Sequence, residues 1–133
     1  MKGIFQNCES LVTLNLALFY TPNEEIIWDM FNGCKNLRNL NIPNFDTSKV
    51  KDMQSMFSGC KSLESLNLNH FKTKKVQYMN KMFKDYENLR ELNMSQSTSD
   101  SLSSMYRMFY NCKILKYLNI FNLVEDVQFV YIM

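Results

Sequence analysis

The chain has 133 residues, of which 46% are hydrophobic and 21% are charged, so its length and composition are those of one folded domain. A net charge of +2 implies no strong electrostatic steering toward nucleic acid, and we therefore expect no nucleic-acid partner. No apolar run approaches the roughly 18 residues that a membrane-spanning helix needs, so we expect no membrane insertion.

The sequence repeats itself every 26 residues over five units, which we number by their phenylalanines. Two leucines and one asparagine recur beside each phenylalanine without any insertion. This regularity predicts a stack of structural units, because one such unit is too small to bury its own apolar face. The recurring positions are Phe5, Phe31, Phe57, Phe83 and Phe109; Leu11, Leu37, Leu63, Leu89 and Leu115; Leu14, Leu40, Leu66, Leu92 and Leu118; and Asn15, Asn41, Asn67, Asn93 and Asn119.

The segment around each leucine–asparagine pair predicts a short strand. In the third unit, Leu66 and Leu68 share one face of the strand, whereas Asn67 faces the other way. Equivalent segments of stacked units run in the same direction, so we expect one parallel sheet. The predicted strands are 11–16, 37–42, 63–68, 89–94 and 115–120.

The segment after each strand predicts a short helix on the other face of the sheet. Val50, Met53, Met56 and Phe57 have the spacing of one helical stripe, and Thr47 precedes them as an N-cap. Two residues after each phenylalanine stands a residue that tolerates the left-handed backbone of a helix end. The predicted helices are 48–57, 74–83 and 100–109, with N-caps at Thr21, Thr47, Thr73 and Ser99, and C-caps at Asn7, Gly33, Gly59, Asp85 and Asn111.

The residues that could carry chemistry are few. Cys8, Cys34, Cys60 and Cys112 recur at one position of the unit, which predicts buried, free thiols and favours neither disulfides nor a zinc site. His70 has no nucleophile or orienting carboxylate in its unit, and we interpret it as a solvated loop residue. We therefore expect no catalytic residues, no metal, no cofactor and no enzymatic activity.

The exposed face of the strands is the predicted binding surface. The asparagine column has two interpretations, an amide ladder between units or a polar strip that contacts a ligand. Specificity is expected from the strand position that varies between units, beginning with Thr13. The candidate binding residues are Asn39, Asn41, Ser65, Asn67, Glu91, Asn93, Tyr117 and Asn119. A second, weaker group of interface residues lies off the apolar stripe: Trp28, Tyr78, Tyr106, Arg107 and Tyr110.

The segment MFSGCKSLESLNLNHFKTKKVQYMNKMF, which starts at Met56, resembles the repeat unit of the BspA-like family of bacterial surface leucine-rich repeats in its 26-residue form. The resemblance covers nearly the whole chain and departs after Leu16, at Ser97 and in the final unit. With the repeat, it predicts an α/β fold: a right-handed leucine-rich-repeat solenoid of about five coils, forming a single domain over 1–133. It implies a surface or secreted adhesin-like module that binds a protein or glycan.

Two other functions stay open, a structural spacer and a cytoplasmic protein-interaction scaffold, because no signal peptide is visible. Met1 falls in the column of Met53, and the last residues are apolar, so we expect a fragment of a longer array. An uncapped end predicts end-to-end self-association, strongest through the final residues. The residues concerned are Phe121, Phe129, Val130, Tyr131 and Ile132.

Overall fold

The structure is a computed structural model that describes residues 1–98 and 100–120, and it contains five short strands in this part of the chain. Each strand lies inside one of the five predicted ranges, but only its three central residues are extended. The presence of the strands is therefore confirmed, and their predicted length was too great. The strands are β1 (Thr13–Asn15), β2 (Asn39–Asn41), β3 (Ser65–Asn67), β4 (Glu91–Asn93) and β5 (Tyr117–Asn119).

The strands pair in parallel with their equivalents one repeat away, as the period predicts. Leu14 lies opposite Leu40, and Leu92 lies between Leu66 and Leu118. The prediction of one continuous sheet is wrong, because β1 and β2 form one sheet and β3, β4 and β5 form another. The leucines of β1 to β4 pack in or against the core and the residues beside them face solvent, whereas all three residues of β5 are exposed.

The predicted helices at 48–57, 74–83 and 100–109 are wrong, because the described residues contain no helix. An α-helix would join each N–H to the carbonyl four residues earlier. Here the N–H of Phe31 donates to the carbonyl of Met56 in the next unit at 2.9 Å, and the N–H of Phe57 donates to that of Met82 at 3.0 Å. The residues between these inter-unit hydrogen bonds form tight turns. It follows that no helix in residues 1–98 and 100–120 is long and apolar enough to cross a membrane.

Left-handed backbone recurs at two positions of every unit. The predicted column of helix ends has positive φ throughout, from 56° at Asp85 to 76° at Gly33, but these residues lie in turns and cap no helix. A second column, four residues earlier, was not predicted because serine, lysine and arginine seldom adopt this conformation. A left-handed residue in each turn prevents a right-handed helix from growing. The second column is Gly3, Asp29, Ser55, Lys81 and Arg107, with φ between 52° and 56°.

The threonines predicted as N-caps form hydrogen bonds from one unit to the next instead. The buried hydroxyl of Thr21 donates to the carbonyl of Asp46 at 3.0 Å, and that of Thr73 donates to the carbonyl of Thr98 at 2.6 Å. Thr47 makes the equivalent bond to Lys72. The N-cap role is therefore wrong for these three residues, and Ser99 lies outside the described residues.

The core consists of the recurring apolar positions, stacked one unit upon the next. The rings of Phe31, Phe57 and Phe83 stack with centroids 5.5 Å and 5.7 Å apart. A second stack joins Phe45 to Phe71 at 6.3 Å. Because each ring contacts its equivalents on either side, the core is continuous through the middle units and supports the exposed strand faces.

Candidate binding face

All eight predicted binding residues lie on the strands and are exposed. The pairing of β3, β4 and β5 places Ser65, Glu91 and Tyr117 side by side in one row. The same register forms a second row from the asparagines at 67, 93 and 119. The remaining two residues, Asn39 and Asn41, lie on β2 in the other sheet. The structure therefore brings six of the eight together and separates two from them.

The asparagine column closes a turn within its own unit. The side-chain carbonyl oxygen of Asn67 accepts a hydrogen bond from the backbone N–H of Asn69 at 3.0 Å, and that of Asn93 accepts from Ser95 at 3.0 Å. This local bond is an Asx-turn, which reverses the chain after the strand. Among the described residues, the predicted amide ladder is confined to one bond, from Asn41 to Asn15 at 3.0 Å. The recurrence of asparagine is thus explained mainly by the turn.

A cleft of about 430 Å³ opens on the strand side where the two sheets separate. Two predicted residues, Asn39 and Ser65, belong to its lining, one on each side. The other four lining residues were missed, because they lie just outside the predicted row. The cleft is lined by Arg38, Asn39, Ser62, Glu64, Ser65 and Asn88.

The ion pairs on either side of the cleft lead away from it. Lys35 forms an ion pair with Glu9 of the first unit at 2.6 Å, and Lys61 forms one with Glu87 of the fourth unit at 2.7 Å. The second and third units therefore present lysines at the same position, and each lysine turns toward the unit on its far side.

The separation is limited to the strand side. Across the same two units, the N–H of Gly33 donates to the carbonyl of Ser58 at 2.8 Å, and Ile26 forms a parallel bridge with Asp52. This second line of bridges continues without a break to Tyr78 and Ser104. The packed core thus closes the bottom of the cleft.

Aromatic residues cluster on another part of the surface. Tyr106 and Tyr110 are exposed, and the guanidinium of Arg107 lies 5.0 Å and 5.2 Å from their ring centroids. Trp28 is partly covered by Lys2, whose ammonium lies 4.7 Å from the ring. The second group of predicted interface residues thus contains a cation–π cluster.

The four thiols are free, two of them are buried, and Cys112 is only partly buried. Cys34 and Cys60 are buried, each donating to the carbonyl of a phenylalanine in the preceding unit, but Cys8 is exposed. The prediction of burial is wrong for Cys8, since no described unit lies over it. Burial raises the pKa of the Cys34 and Cys112 thiols to about 11, which suppresses the reactive thiolate at neutral pH. No group of three or more metal-ligating side chains suited to hold an ion occurs in residues 1–98 and 100–120.

His70 is exposed, as predicted for a loop residue. Its ring meets Phe71 edge-on, with centroids 5.0 Å apart. Partial burial lowers the pKa of His70, while a hydrogen bond to the backbone of Ile42 acts in the opposite direction.

These features define a class of repeat protein, with short parallel strands recurring every 26 residues and a polar exposed face. The family model described as "Mycoplasma protein of unknown function, DUF285" matches residues 1–120, and the chain belongs to this family. No curated protein and no solved structure matches the chain. The relation to BspA-like repeats stays a prediction.

Proposed function

We propose that the chain is a non-catalytic binding module that holds a protein or glycan ligand on the exposed face of its strands. The observation that supports this function is a constant scaffold with one variable exposed row. The core and turn residues recur in each unit, whereas the first residue of each strand differs in chemistry. These residues are Thr13, Asn39, Ser65, Glu91 and Tyr117.

We further propose that the units form a right-handed leucine-rich-repeat solenoid of the BspA-like kind, with turns in place of helices. In support, each strand pairing and each bridge joins residues 26 positions apart, such as Asp52 with Tyr78. Right-handedness follows the strong preference of connections between parallel strands of one sheet. Such a stack would present the variable row on one face.

A surface or secreted location is part of the proposal and is supported by the resemblance to BspA-like repeats. The test is antibody labelling of intact source cells compared with permeabilised cells. Equal labelling of both is expected. Labelling that appears only after permeabilisation would favour the cytoplasmic interaction scaffold.

The binding function is tested with a glycan array and a panel of purified extracellular-matrix proteins as probes. Tyr117→Ala is expected to weaken the strongest interaction by about tenfold or more, because exposed tyrosines are common interface anchors. Tyr20→Ala is the matched control, since Tyr20 is 69% exposed and Tyr117 is 66% exposed, but Tyr20 lies outside the strands. Equal loss in both variants would contradict binding by the strand face.

A structural spacer is the alternative, supported by the unbroken line of bridges from Ile26 to Ser104. A spacer needs continuity between units and no particular surface chemistry. It predicts that no probe binds and that replacing Glu91 and Tyr117 together leaves the function of the parent protein unchanged.

A further inference from the structure

We propose that the cleft between β2 and β3 docks an extended peptide segment of a partner protein, with one peptide group of the partner bridging the two strands. This inference rests on the proposed binding function, since the cleft opens on the strand side of the molecule. It names the ligand chemistry and the point of attachment.

One backbone hydrogen bond is missing across the cleft. In the closed strand pairs, the N–H of Arg38 donates to the carbonyl of Val12 at 2.8 Å, and that of Arg90 donates to the carbonyl of Glu64 at 3.0 Å. The equivalent bond across the cleft, from the N–H of Glu64 to the carbonyl of Arg38, is not formed. One main-chain donor and one acceptor are therefore left to water or to a ligand.

A peptide group suits this pair of atoms. It carries a carbonyl that can accept from the N–H of Glu64 and an N–H that can donate to the carbonyl of Arg38, held in a fixed planar arrangement. Unpaired strand edges recruit extended segments in this way. A sugar fits less well, because the cleft lining contains no aromatic ring on which a sugar face could pack.

Two charged side chains of the cleft lining form no ion pair with a described residue. Arg38 adjoins β2 and Glu64 adjoins β3, so opposite charges stand on the two sides of the cleft. Both are exposed, and neither forms an ion pair with another described residue, whereas Lys35 and Lys61 each pair with a glutamate. An acidic side chain beside the guanidinium and a basic one beside the carboxylate would satisfy both groups.

The cleft is already formed. Its volume of about 430 Å³ lies within the usual range of ligand sites, roughly 300–1,000 Å³. Below it, the Phe45–Phe71 stack keeps the two units in register at 6.3 Å. A preformed site avoids part of the ordering cost of binding.

The first experiment measures amide hydrogen exchange by NMR in the free protein. The amide of Glu64 is expected to exchange about 100-fold faster than that of Arg90, since only Arg90 is bonded to its neighbouring unit. Equal protection of the two amides would mean that the strands are closed and would overturn the proposal.

The second experiment titrates the ¹⁵N-labelled protein with a blocked Thr-Glu-Thr-Lys-Thr peptide, whose β-branched residues favour an extended chain. Resonance shifts are expected at the amides of Arg38 and Glu64, together with slower exchange at Glu64. The same peptide with its central amide N-methylated is expected to bind at least about fivefold more weakly, because one bridging hydrogen bond is lost. Binding of a chito-oligosaccharide at these amides without any peptide binding would overturn the proposal.

Arg38→Ala is expected to reduce peptide affinity about tenfold. Arg90→Ala is the matched control, because Arg90 is an exposed arginine at the same position of a closed unit. If Arg38→Ala has no effect while Tyr117→Ala still weakens probe binding, the cleft proposal fails and the proposed function stands. If neither replacement weakens the binding of any probe, both fail.

Discussion

At the scale of single residues, Tyr86 shows how one substitution alters a repeated position. It stands where the four other units place a cysteine, and its own side chain is fully buried. Its hydroxyl has no hydrogen-bond partner among the described residues, and burial raises the pKa of Tyr86 well above its usual value. A buried hydroxyl without a partner lowers stability.

Tyr86→Phe is therefore expected to increase the free energy of unfolding by about 1 kcal/mol, measured by urea denaturation. Tyr110→Phe, at an exposed site, should change it by less than about 0.5 kcal/mol. A loss of stability in Tyr86→Phe would show that the hydroxyl makes a hydrogen bond in solution.

The four thiols are expected to differ in reactivity, which peptide mapping after timed alkylation at pH 8 measures. Cys8 should react fast because it is exposed, while Cys34 and Cys60 should react slowly until denaturant is added. Alkylation of Cys60 as fast as Cys8 in the folded protein would contradict the buried column.

Stability should fall at alkaline pH. Burial holds the pKa of Cys34 and Cys112 at about 11, above the usual value of 9.0, so the folded state retains protons that the unfolded chain releases. The contribution of these thiols is complete below pH 9 and is lost as pH rises toward 11. Urea midpoints measured from pH 8 to pH 11 should fall less steeply in Cys34→Ala than in the wild-type protein. Parallel curves for both proteins would exclude this cause.

At the scale of elements, left-handed turns replace the helices. Lys81 has a φ of 56° and is exposed, so Lys81→Gly should raise the free energy of unfolding by roughly 0.5–1 kcal/mol through relief of backbone strain. Lys75→Gly is the control at an exposed position without positive φ, and it should lower stability by a similar amount. Urea denaturation should therefore show changes of opposite sign in the free energy of unfolding for the two variants. Destabilisation by both replacements would count against the left-handed turn.

At the scale of the whole molecule, stability should depend on contacts with the units on either side. Phe57 is fully buried between Phe31 and Phe83, whereas Phe5 is only partly buried. Phe57→Ala is expected to cost on the order of 3–5 kcal/mol, and Phe5→Ala clearly less, in urea denaturation. Equal costs would show that the units do not stack through this column. The predicted end-to-end association involves residues 121–133, which lie outside the described part of the chain, and it stays a prediction.

The sequence by itself determined the period, the strand positions and the register. All three depend on which residues recur. A parallel strand one repeat away carries equivalent side chains, so only the register that places Leu66 opposite Leu92 keeps the apolar residues on one face. The left-handed column that contains Gly33 and Gly59 was also predictable, since all of its residue types tolerate a left-handed backbone. The exposed row followed from the alternation along each strand.

Only the tertiary structure decided between helix and turns. Apolar residues three and four apart suit a helix, but they suit stacked turns equally well. The choice depends on whether the N–H of Phe57 finds a carbonyl in its own unit or that of Met82, 25 residues further on. The cleft was decided in the same way. Lys35 and Lys61 look alike in the sequence, but Lys35 bonds Glu9 and Lys61 bonds Glu87, on opposite sides of the cleft, a distinction made only by neighbours in space.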